Sequence, residues 1–152
     1  AALRLVNEEM NRDFRPTHMG QARGDYKPLI FMMTDGAPNS KSSAISAAND
    51  IRDRPSGHRV GTFVVLGCGA GASPDGIEGI ARAVGPTGHA AFMKNMTADN
   101  INEFFKWVSA SIVNASKTAS QAANASGEED NAVAPPPIPQ ESNGDAVFKF
   151  TF

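Results

Sequence analysis

The 152-residue sequence holds one cysteine, Cys68, and a single tryptophan and tyrosine. One thiol excludes an internal disulfide and a cysteine-based zinc site. With no secretory leader pattern, it leads to the expectation of a reducing, cytoplasmic setting. A surplus of either charge is also lacking: 14 Lys and Arg stand against 16 Asp and Glu, a net of −2. That balance excludes the basic surface of a phosphate-coating nucleic-acid binder, so no nucleic acid is expected among its partners. No apolar run approaches the ~18–20 residues that span a bilayer, and no membrane partner is expected. Histidine is scarce as well. His18, His58 and His89 share no helical face, and no Ser-His-Asp or Cys-His set can be assembled from the spacing.

What is present suits one domain with a tail. Hydrophobic residues make up 41 % of the chain, enough for a core. Residues 1–14 place Leu3, Leu5, Val6, Met10 and Phe14 at mostly helical spacing. Pro16, Gly20, Gly24 and Pro28 make 15–28 a loop. Leu29–Met33 is a continuous apolar run, the mark of a strand buried on both faces. Ser40 or Ser42 can cap a helix over about 41–53, and Pro55-Ser56-Gly57 ends it. Val60–Leu66 reads as a second buried strand, followed by Gly67-Cys68-Gly69-Ala70-Gly71. A short helix is expected over 75–84, a third strand over 89–93, and a long helix over 98–117, capped by Thr97 and carrying the stripe Ile101, Phe104, Phe105, Val108 and Ile112. The alternation predicts an α/β domain over 1–117, with a parallel, Rossmann-like sheet and helices on both faces. The Met32-Met33 and Phe104-Phe105 pairs are assigned to its core. Residues 118–146, rich in Ala, Ser, Asn and Pro, are expected to form a flexible linker with a polyproline stretch at 135–139. Residues 147–152 regain strand-like alternation.

Ligands bind outside the carboxyl ends of the strands in an open parallel sheet. Two loops lie there. In the first, Asp35 follows a buried strand and precedes Gly36, which suits either an oxygen ligand to a hard cation or an ordinary turn. In the second, the glycines match a dinucleotide-binding Gly-x-Gly-x-x-Gly poorly, because the third glycine comes one residue early. Cys68 in that loop reads as a buried, inert thiol, with a reactive one as the alternative.

Several of these segments together resemble a known family. LIFMMTDGAPNS over 29–40 looks like the fourth strand and following loop of a von Willebrand factor A (VWA) domain. VGTFVVLGCGAG over 60–71 is similar to the next strand and loop, and DGIEGIA over 75–81 to the short helix after it. FFKWVSAS over 104–111, with the prolines at 135–139, resembles the last helix and tail of the TerY-type VWA proteins of bacterial tellurite resistance and stress response. The resemblance spans about residues 1–139 and covers the C-terminal part of such a domain.

The resemblance implies a non-enzymatic protein-interaction module with a metal-ion-dependent adhesion site (MIDAS), usually loaded with Mg²⁺. Family ligands come from an Asp-x-Ser-x-Ser motif after strand one, a Thr further on, and the Asp after strand four. Asp35 matches the last; the other two have no counterpart in this sequence. Implied partners are proteins of a stress operon, such as a kinase or phosphatase. Two alternatives stand beside this reading: a metal-assisted phosphate hydrolase using Asp35, and a scaffold remnant without a metal site. The hydrolase families that use such an aspartate want a second one two residues on, where this chain has Ala37. The chain begins inside an amphipathic pattern and is expected to be a piece of a longer protein. With strand one absent, Leu29–Met33 would be an apolar sheet edge, onto which Val147–Phe152 or a second copy of the chain is expected to dock.

Overall fold

The computed structural model describes residues 2–13, 27–55, 60–122, 137–141 and 144–150. Phe14, His18, His58, residues 123–136 with Pro135 and Pro136, and residues 151–152 lie outside the described residues.

The fold is α/β. Helix α1 (Ala2–Asp13) is followed by strand β1 (Leu29–Thr34), helix α2 (Lys41–Arg52), strand β2 (Thr62–Cys68), helix α3 (Pro74–Val84), strand β3 (Gly88–Met93), helix α4 (Ala98–Ala122) and strand β4 (Lys149–Phe150). The sheet order is β1-β2-β3-β4. The first two pairings are parallel, with Phe31 beside Val64 and Val64 beside His89. The last is antiparallel, Ala91 facing Phe150.

The period of two in the strands divides the core into two layers. Ile30, Met32, Phe63, Val65, Ala90 and Phe92 point to the face covered by α1, α2 and α3. Val64, Leu66, Cys68, Ala91 and Met93 point to the other face, where Phe104 and Trp107 of α4 cover them. Gly67 belongs to the first face and packs tightly there: a Cβ would stand 2.5 Å from Ile77 Cδ1 and 2.7 Å from Phe92 Cε1, so both side chains would have to shift. Its absence lets α3 settle onto the sheet.

Helices α2, α3 and α4 start where the sequence supplies an acceptor. The Ser40 hydroxyl accepts from the Ser43 N–H at 3.3 Å, Ser73 from Gly76 at 3.4 Å, and Thr97 from Asn100 at 3.1 Å. Helix α1 is held to the end of α2 by buried Arg54, which donates to Asn7 Oδ1 at 2.6 Å.

Several expectations are corrected. Helix α4 runs beyond 117 to Ala122, because Thr118–Ala122 contains no glycine or proline to stop it. At ~1.5 Å per residue it outruns strands of six or seven residues, so Ile112 of the expected apolar stripe is exposed beyond the sheet. Phe104 is buried but Phe105 is 52 % exposed, since consecutive helical residues point about 100° apart. Met33, at the end of the edge strand, is also exposed, unlike its neighbour Met32.

The C-terminal segment docks on β3, not on β1. Antiparallel pairing of Gln140 with Ala146 turns the chain back, and the Val147 N–H donates to Pro139 O at 2.9 Å. Buried Asn100 at the start of α4 donates to Glu141 Oε1 at 2.7 Å, tying this turn beside β3. Phe148 then enters the α4 layer, 5.1 Å from Trp107 and 5.4 Å from Phe104 between ring centres. Ile138, inside the stretch expected to be a linker, packs on the same layer. Strand β1 is left at the sheet edge, and among the described residues no strand pairs with its outer side.

Candidate functional site

The carboxyl ends of β1 and β2 carry the two loops singled out in the sequence. After β1 the chain makes a tight turn: Thr34 Oγ1 accepts from the Gly36 N–H at 3.4 Å and lies 3.3 Å from Gly36 O, to which it donates. The turn leaves Asp35 exposed at the rim of the sheet. Pro38 then leads to Ser40, the cap of α2.

The glycine loop lies directly against this turn. A Cβ on Gly71 would stand 2.7 Å from the Asp35 carbonyl oxygen, so only glycine allows the two backbones to approach this closely. Pro38 leans on α3, where a Cβ on Gly76 would stand 2.9 Å from its Cδ. Gly67 and Cys68 are the last residues of β2, so the turn itself begins at Gly69, whose φ of 72° is in the left-handed region. The Gly69 N–H donates to Met93 O at 2.9 Å and carries the ladder to β3 one residue further.

Cys68 is buried beneath this rim, its thiol 3.9 Å from Leu66 O. Burial, and secondarily the negative charge of Asp35, push its pKa above the ordinary thiol value. Both effects favour the protonated thiol, the form that is a poor nucleophile. His89 lies on β3, half-buried with its ring 6.0 Å from that of Phe150, and burial lowers its pKa.

Of the residues weighed for chemistry, the structure therefore brings Asp35 and Cys68 to the same end of the sheet. Thr34 and Gly71, which shape the loop around Asp35, fall within the two loops singled out in the sequence, but their roles there were not. The signal for Gly71 was a glycine facing another βα loop, but the partner atom is visible only in three dimensions. Among the described residues no group of three or more His, Cys, Asp or Glu side chains is placed to hold a metal ion. No helix among them is long and apolar enough to cross a membrane. Comparison of the chain with family models, curated proteins and solved structures finds no match.

Proposed function

We propose that the chain is a non-enzymatic protein-interaction module of VWA type that works in the cytoplasm in a stress response of the tellurite-resistance kind. One observation carries this reading: an exposed aspartate stands immediately beyond the end of a parallel strand, on a tight turn backed by a glycine loop. This is the place where open α/β sheets bind ligands. The nearest thiol is buried and held protonated, which favours binding over nucleophilic chemistry.

The chemistry of Asp35 suits Mg²⁺, but the number of donors does not. One carboxylate meets a cation that takes six oxygens in near-octahedral geometry, and among the described residues no group of three or more His, Cys, Asp or Glu is placed to hold it. The chain's contribution is thus one ligand position and the rim around it. The partner class that fits is a protein presenting a carboxylate, and the kinase or phosphatase of the same stress operon is the proposed source.

Calorimetric titration of Mg²⁺ and of Mn²⁺ into the chain and into Asp35→Ala tests this. The expected result is weak saturable binding that disappears in the variant. No saturable heat in either protein would remove the metal from the reading and leave the scaffold alternative.

A further inference from the structure

Little backbone holds the C-terminal segment on the sheet. Strand β4 pairs with β3 at two positions, Ala91 with Phe150 and Phe92 with Lys149. Side chains hold its two ends. At one end Glu141 accepts from Asn100 at 2.7 Å and from Asn95 at 3.3 Å. At the other, Phe150 lies 5.7 Å from Trp107 and meets the His89 ring edge-on, 6.0 Å away with the planes at 70°. His89 alternates with Ala91 and Met93, so it points into the α4 layer beside Phe150. Among the described residues no group hydrogen-bonds its imidazole, and none that is charged faces it. Strand β2 offers Val64 in register and no charge over 62–68. On β4, Lys149 alternates to the opposite face and is exposed. On α4, Glu103 and Lys106 pair with each other at 2.6 Å, Asp99 lies in the first turn near the carboxyl end of β3, and Lys117 is exposed beyond the sheet. Cys68, the other titratable group of this layer, is level with Met93, four residues along β3.

We propose that His89 is an acid-sensitive latch on the C-terminal segment: a proton on its ring favours a form in which residues 147–150 have left β3 and the rings of Phe104 and Trp107 are uncovered, while the parallel strands stay paired. An imidazolium beside Phe150 has no counter-ion and reduced access to water, a cost that is relieved when Phe150 lifts away and water reaches the ring. The direction agrees with burial lowering the pKa of His89. Docking is then strongest above pH ~6.5 and weakens as pH falls through the lower value of the docked form. The topology suits a local release, because β4 is the last strand of the sheet and its departure breaks no pairing among β1, β2 and β3. What it uncovers is the ring layer, where Trp107 is only 4 % exposed with the segment in place. This inference does not rest on the binding reading of Asp35.

The test is amide hydrogen exchange of the full chain, read residue by residue by NMR at pH 7.5 and 5.5 and expressed as protection relative to unstructured chain. The amides of 147–150 should be about tenfold or more less protected than those of Val64–Leu66 at both pH values, the mark of a separate opening. Their protection should fall about tenfold between pH 7.5 and 5.5 in the native chain, and by about twofold at most in His89→Phe. His89→Gln, neutral at both pH values, replaces that variant if it fails to fold. Glu141, Asp145 and Cys68 are intact in both variants, so a tenfold fall that persists belongs to another group and overturns the proposal. Equal protection of 147–150 and β2 overturns it as well, since the segment would then leave only when the whole chain unfolds. So does native protection that does not respond to pH.

Discussion

Burial acts on Cys68 before any charge does, and Asp35 adds to it. The native protein is therefore expected to react with a disulfide reagent at pH 8 more slowly than free cysteine, and denaturant should restore the free rate. Asp35→Asn removes only the lesser contribution, so its rate–pH profile should move slightly toward lower pH. A native rate equal to that of free cysteine would contradict this placement of the thiol. His89 gives a second residue-scale expectation. Burial lowers its folded-state pKa below the unfolded value of ~6.5, so the unfolded chain binds the extra proton first. Stability is then full above pH ~6.5 and falls as pH drops through the folded value. Melting temperatures between pH 7.5 and 5.5 should fall less in His89→Phe than in the native chain. The ion-paired carboxylates Asp13 and Asp53 have pKa values lowered mainly by hydrogen bonds from Arg12 and Arg52, and they titrate below this window.

At the scale of elements, helix α4 and the C-terminal segment share one aromatic layer. Phe148 fills it between Phe104 and Trp107. Phe148→Ala is expected to cost about 3–5 kcal/mol in denaturant unfolding, as for other buried phenylalanines. Phe105→Ala, on the exposed side of the same helix, should change stability by no more than about 0.5 kcal/mol. Equal losses for the two would contradict the assigned helix face. The pairwise identity of Phe104 and Phe105 hides this difference in the sequence, because both positions fall within a broad apolar stripe. Gly67→Ala tests the opposite layer. Its methyl would press on Ile77 and Phe92, and an overpacking loss of about 1–3 kcal/mol is expected.

Across the whole molecule, the sequence order of strands and helices was legible because each element is marked locally. Apolar runs named β1 and β2, Ser and Thr caps opened α2 and α4, and Gly and Pro closed α2 and α3. The docking of residues 147–150 was not legible. Its choice of β3 depends on Asn100 holding Glu141 across a long stretch of chain, and on a cluster of rings drawn from β1, α4 and β4. No local pattern encodes either. The same limit applies to the candidate site: Asp35 stands out by its position after a strand, whereas its contact with Gly71 requires the two loops to be folded together.

The central claim is that the rim around Asp35 is the binding surface. Paramagnetic broadening of backbone amide signals by substoichiometric Mn²⁺ tests it most directly. Broadening should be strongest at Asp35, Gly36 and Gly69–Gly71 and should vanish there in Asp35→Ala. Broadening at Asp35 no greater than at the exposed carboxylates Asp50 and Asp99, or unchanged by the substitution, would contradict the account.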